Sequence, residues 1–123
     1  MPASRGEGTR VELRCPDPSC NPYLELAVLL AAGLDGIKKE LQPVDAVSAN
    51  IFEMTPEERV AMGIDSLPGS LDESVREMKA SGFMKEVLGD HVFTKYLEAK
   101  KSECERFRTT VTEWEIGEYL GKY

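Results

Sequence analysis

Between Leu24 and Leu34 the chain reads LELAVLLAAGL, and only Glu25 and Gly33 interrupt the apolar residues. No other stretch limits the possible folds so strongly. It lies in a helix expected from Pro22 to about Lys39. Asn21 followed by Pro22 is a start signal, with asparagine as N-cap and proline in the first turn. A surface helix normally carries one apolar stripe. This one is apolar nearly all round, so something must cover every side of it. The run is too short for the ~20 residues of a membrane span and it contains a glutamate. No membrane segment is expected.

Thr9 to Cys15, just upstream, alternates apolar and charged residues. A strand there would carry Val11, Leu13 and Cys15 on one side and Arg10, Glu12 and Arg14 on the other. Pro16, Pro18 and Pro22 rule out regular structure between this strand and the helix. A lone strand leaves half its backbone groups unpaired. Strand and helix both point to a chain that is part of something larger, or half of an oligomer.

The rest reads as helical. Residues 40 to 54 form an extended connection. TPEE at Thr55–Glu58 is a capping box with proline in the first turn, and its helix should stop at Gly63. SLDE at Ser70–Glu73 is a second capping box. Leu71, Val75 and Met78 follow at helical spacing, and Gly82 should end that helix. A short piece over Phe83–Leu88 should close at Gly89. Asp90 is then the expected N-cap of the longest helix, about His91 to Arg108, with a stripe of Phe93, Tyr96, Leu97, Lys100, Cys104 and Phe107, and Val111 beyond. TEWE at Thr112–Glu115 starts a terminal segment with Trp114, Ile116, Tyr119, Leu120 and Tyr123. The expected fold class is mainly α: one N-terminal strand followed by about five helices.

The 123 residues make one ordinary domain, and the net charge is -7. That balance argues against nucleic acid, which needs a basic patch, and against an anionic membrane surface. Three cysteines, Cys15, Cys20 and Cys104, with no secretory signal suggest a reducing, cytoplasmic setting. The C-x4-C spacing has no second pair, so a structural zinc site is not expected. His91 is the only histidine and reads as a surface or capping residue.

The charged face admits two readings. A strand with alternating charge is ordinarily just solvated. Alternatively, Glu12 is a hard oxygen ligand suited to magnesium or manganese. Arg10 and Arg14 flank it, roughly 6–7 Å away along a strand. Arginine recognises phosphate and carboxylate through a planar fork. A carboxylate holding a metal between two guanidinium groups fits phosphoryl transfer.

The stretch TRVELRCPDPSCNPYLELAVLLAAGLDGIKKEL resembles the C-terminal part of the catalytic domain of glutamine synthetases of the bacterial, dodecameric type. The family segment has the form R-[IV]-E-[VL]-R-x-P-D-P-[AST]-x-N-P-Y-L, followed by a small-residue helix ending A-G-L-D-G-I. The resemblance continues through ANIFEMTPEE, SLPGSLDES, FTKYLEAKKSE and VTEWEIGEYL, and so covers residues 1–123. It implies that Glu12 is a divalent-metal ligand (Mg2+ or Mn2+). Arg14 is then a catalytic residue that contacts glutamate and the phosphoryl group, and Arg10 lies near the ATP phosphates. The implied reaction phosphorylates glutamate with ATP to γ-glutamyl phosphate, which ammonia converts to glutamine. The implied assembly is a homo-oligomer, a dodecamer for the family, with the C-terminal tail reaching a neighbouring ring; the lone chain is expected to self-associate, as a dimer. Some members adenylylate a tyrosine in N-[LI]-Y-[DE]. Here that place reads Asn50, Ile51, Phe52, Glu53, so the switch cannot operate at Phe52.

Family chains are several times longer, and their other metal carboxylates, metal histidine and most of the nucleotide pocket lie upstream of the matched segment. PASRG resembles the start of that segment, so Met1 reads as a start placed inside a parent sequence. The expectation is an enzyme part without activity by itself. The alternative is a free-standing helical assembly or regulatory module derived from the enzyme, which would have no use for Arg10, Glu12 and Arg14.

Overall fold

The computed structural model describes residues 6–43 and 46–122. Met1 to Arg5, Val44, Asp45 and Tyr123 lie outside the described residues, and with them PASRG, part of the expected connection and the last aromatic of the tail. The chain divides into two compact units, Met1–Glu40 and Leu41–Tyr123.

The first unit is built around helix α1, Pro22–Lys38. Asn21 caps it as expected: its Oδ1 accepts from the backbone N–H of Tyr23 at 3.0 Å and of Leu24 at 3.3 Å. At the other end Lys39 N–H bonds Asp35 O, and Glu40 turns the chain with φ 52°. The Lys39 ammonium also holds the Asp35 carboxylate at 2.8 Å. No residue of α1 is buried. The sequence demanded cover for every side of this helix, yet Tyr23, Leu26, Leu30, Leu34 and Ile37 stand exposed, and Leu24, Val28 and Leu29 are only half-buried.

The strand expected over Thr9–Cys15 is not there, and no β-strand occurs among the described residues. A turn closes residues 6–9, where Thr9 N–H bonds Gly6 O at 2.9 Å and Gly6 N–H bonds Thr9 Oγ1 at 3.0 Å. Beyond it Val11 and Leu13 are exposed instead of facing a core. A strand is defined by its ladder, and among the described residues no second segment pairs with this one.

The second unit begins with a single 3-10 turn, Ile51–Glu53, capped by Asn50. Helix α2, Pro56–Ala61, carries the expected capping box: Thr55 and Glu58 each bond the other's backbone N–H. Gly63 follows with φ 67°. Helix α3, Leu71–Ala80, is capped by Ser70, but Glu73 bonds Gly69 N–H at 2.7 Å, so the reciprocal half of the box falls one residue early. Ser81 ends α3 and caps α4 as well, its Oγ accepting Met84 N–H at 3.2 Å. Gly82 is therefore the first residue of α4 and not the stop of α3.

Helix α4, Gly82–Arg108, is broken at Gly89, where φ is 71° and ψ 157°. Side chains other than hydrogen essentially never adopt that conformation. The expected division into Phe83–Leu88 and about His91–Arg108 is thus real. Asp90 meets Lys85 at 3.1 Å across the break. Helix α5, Glu113–Tyr119, has the third capping box, Thr112 with Glu115. Thr112's backbone N–H and then its hydroxyl hold the Glu115 carboxyl below its ordinary range. The cap is therefore complete above that range and is lost as pH falls through the lowered value.

The core is small. Val75 from α3 and Phe93 and Leu97 from α4 are buried, with Met78, Met84, Leu88 and Cys104 packed against them. Phe107 and Val111, expected to continue the stripe, are exposed. With so few buried side chains each matters. Phe93→Ala is expected to destabilise the α3–α4 pair by about 3 kcal/mol, against less than about 0.5 kcal/mol for Val111→Ala. Urea denaturation followed by far-UV circular dichroism reads the difference, and equal midpoints for the two variants would refute this core.

Candidate functional site

Arg10, Glu12 and Arg14 come together without a strand to align them. Arg10 Nη2 reaches Glu12 Oε2 at 3.1 Å. Arg14 donates from Nε to Glu12 Oε1 at 2.7 Å, and its Nη2 lies 2.6 Å from the same oxygen. Arg10 also donates from Nη1 to Gly8 O at 3.2 Å. Both carboxylate oxygens are therefore engaged by guanidinium groups. The cluster is open to water: the side chains of Arg10, Glu12 and Arg14 are 60%, 43% and 87% exposed. Exposed pairs of this kind contribute at most about 1 kcal/mol. The arrangement is no stability device.

Chemically, the cluster carries one net positive charge and presents arginine forks. That suits a phosphate or carboxylate oxygen. A divalent cation is another matter. Among the described residues no three His, Cys, Asp or Glu side chains gather as a possible metal site. Glu12 is a single carboxylate whose oxygens already accept from arginine. The residues described here do not by themselves fit a divalent ion.

The loop between this cluster and α1 is held by its own polar groups. Asp17 Oδ1 accepts from Ser19 N–H at 2.7 Å and from the Ser19 hydroxyl at 2.6 Å. The Cys20 thiol donates to Glu25 Oε2 at 2.7 Å. That hydrogen bond, then burial, then the charges of Glu25 and Asp17 push the Cys20 thiol above its usual value. A thiol held protonated is a poor nucleophile. Cys20, Asp17 and Asn21 thus organise the entry to α1.

A second concavity lies between α3 and α4, lined by Ser70, Leu71, Lys101, Cys104, Phe107 and Arg108 among others. Its charged rim is paired internally, Arg108 with Glu105 and Lys100 nearby with Glu103. Asp72, Glu103 and Glu105 line it as well, and Asp72 pairs with Arg76 at 2.7 Å. Phe52 is fully exposed in the 3-10 turn. None of the described helices is long and apolar enough to cross a membrane.

The profile of the family described as glutamine synthetase, catalytic domain, matches residues 1–119. A glutamine synthetase of Clostridium saccharobutylicum is 58% identical over 123 residues, which is 100% of this chain and 28% of that protein. One of Methanosarcina mazei is 52% identical over 120 residues, 98% of this chain and 27% of its own length. One of Thermus thermophilus is 49% identical over 123 residues, 100% of this chain and 28% of that protein. The chain therefore spans somewhat more than a quarter of the length of these relatives. A profile match over nearly every residue and relatives from both bacteria and archaea agree with the motif that Arg10, Glu12 and Arg14 occupy, and the chain belongs to the glutamine synthetase catalytic-domain family.

Proposed function

We propose that this chain is the C-terminal portion of a glutamine synthetase catalytic domain, contributing to the ATP-dependent ligation of ammonia to glutamate by way of γ-glutamyl phosphate. The observation that carries this is 58% identity over all 123 residues to a glutamine synthetase. Arg14 contacts glutamate and the transferring phosphoryl group, and Arg10 contacts the ATP phosphates. Both assignments use the arginine fork for anionic oxygen. Glu12 supplies one carboxylate toward Mg2+ or Mn2+, the remaining ligands coming from outside these residues. The working form is a cytoplasmic homo-oligomer, a dodecamer as in the bacterial type, and α5 with its exposed Trp114, Ile116, Tyr119 and Leu120 is its intersubunit tail. With phenylalanine at position 52 there is no hydroxyl for adenylylation. A free-standing regulatory module is not favoured, because it would have no use for the three charged residues.

A chimera tests the assignment. The matching 123 residues of the Clostridium saccharobutylicum relative are replaced by this chain. The chimera is expected to make glutamine from glutamate, ATP and ammonium. A chimera that assembles like the unaltered enzyme yet forms no glutamine would remove this reading.

A further inference from the structure

Arg14 and the cap of α1, Asn21, are separated only by Cys15 to Cys20. Among the described residues no ladder holds the segment that carries Arg14, so its course away from α1 is decided within this short stretch. Pro16 and Pro18 each fix one backbone angle and lack an N–H. Asp17 lies between them and gathers the hydrogen bonds. Its backbone O accepts Cys20 N–H at 3.0 Å, which closes a turn over Pro18 and Ser19. Its Oδ1 accepts Ser19 N–H at 2.7 Å and the Ser19 hydroxyl at 2.6 Å. Aspartate first and proline second is the order such a turn prefers. Every one of these partners is within three residues, so the turn is the chain's own and does not wait on other parts of a catalytic domain.

The two ends of the turn are held differently. Its far end is tied to the first turn of α1, where the Cys20 thiol donates to Glu25 Oε2 at 2.7 Å and Asn21 Oδ1 accepts from Tyr23 and Leu24 N–H. Its near end runs through Pro16 and Cys15 to Arg14. A loosened turn therefore moves Arg14 and leaves α1 in place. The lever from Asp17 to Arg14 is three residues, at most roughly 10 Å, so a tilt of roughly 6° shifts Arg14 by ~1 Å. An arginine fork meets anionic oxygen in a fixed plane, and a shift of ~1 Å at a reacting centre can cost on the order of a hundredfold.

We infer that Asp17 is a positioning residue for Arg14: by accepting from Ser19 it holds the turn that sets where the Arg14 guanidinium meets its anionic partner. Asp17 acts through Arg14 and itself touches no substrate. The inference rests on the proposed reading of Arg14 as the contact to glutamate and the transferring phosphoryl group.

The test is made in the chimeric enzyme. Asp17→Ala leaves the Ser19 N–H and hydroxyl without this acceptor. It is expected to raise the KM for glutamate on the order of tenfold and to lower kcat, with the KM for ammonium and the size of the assembly unchanged. A merely structural loss would reduce the amount of working enzyme and leave each KM alone. Asp17→Asn keeps an oxygen that accepts both bonds and is expected to stay close to the unaltered chimera. Asp17→Glu keeps the charge but carries its oxygens one methylene further, and is expected to resemble alanine. In an Arg14→Lys background, Asp17→Ala is expected to add no more than about a twofold change, because two residues acting through one contact are not additive. The full tenfold in both backgrounds overturns the inference. So does an asparagine variant as poor as alanine beside an active glutamate variant, which would make the charge and not the turn the working feature. An alanine variant that no longer assembles makes Asp17 a folding residue and overturns it equally. An unchanged KM for glutamate in Asp17→Ala overturns it while the enzyme reading stands, since the unaltered chimera still makes glutamine. An unaltered chimera that assembles and makes none removes that reading, and this inference with it.

Discussion

Glu12→Ala, introduced into the chimeric enzyme, is expected to cut glutamine formation at least a hundredfold, on the order of what removing one preorganised charge-stabilising group costs. The physical case starts from the cluster itself. Glu12 is the only acidic residue among Arg10, Glu12 and Arg14, and both of its oxygens accept from guanidinium groups. Alanine leaves two arginines facing each other with no carboxylate between them. They then spread, and neither keeps the position at which its fork meets an anionic oxygen. Glu12→Gln keeps the shape but removes the charge, so it should recover little. Arg14→Ala should also be severe, with a raised KM for glutamate and a lowered kcat, because the proposed contact is to both substrate and phosphoryl group. Steady-state rates at saturating metal and glutamate check both variants. Near-normal turnover in both would mean that the cluster is only a solvated charged face.

The 123-residue chain alone is expected to make no glutamine above background. Phosphoryl transfer depends on several groups held around the transferring oxygens. The described residues bring together one carboxylate and two arginines and no metal-binding cluster. The cluster sits on a segment without a strand ladder, its side chains largely in water. Misplacement by ~1 Å can already cost on the order of a hundredfold. Purified chain is incubated with ATP, glutamate, ammonium and magnesium or manganese, and glutamine and phosphate are followed. Activity that survives repurification and disappears in Glu12→Ala would refute the expectation.

What the sequence made legible was local. Asn21 with Pro22, Thr55 with Glu58 and Thr112 with Glu115 each satisfy their own backbone groups within a few residues, so the pattern alone suffices. Gly89 was legible for the same reason, since only glycine tolerates the conformation found there. The strand at Thr9–Cys15 was misread because alternation describes a strand only when a neighbour supplies the other half of its hydrogen bonds. Gly82 was misread because Ser81 competes for the boundary and serves both helices. Of the candidate site, the residue types and their closeness were legible, as Arg10, Glu12 and Arg14 do meet. That the carboxylate would be occupied by its own flanking arginines was not, because which groups answer a lone charge is decided by whatever else is within reach.

The break at Gly89 also changes how the residues on either side of it count. At ~100° per residue, Met84 and Leu88 lie close together on a helical wheel, and so do Phe93, Leu97 and Cys104. In an uninterrupted helix the second set would point roughly 180° away from the first. Yet Met84, Leu88 and Cys104 all pack against the cluster of Val75, Phe93 and Leu97. The turn at Gly89 resets the phase, so two stripes that a straight rod would hold back to back converge on α3. A Cβ at this position meets no atom within 4 Å, so what reserves it for glycine is the torsion angle and not the space. Gly89 acts as a half-turn of angular offset written into the chain with a single residue, and the small core depends on that offset as much as on any side chain inside it.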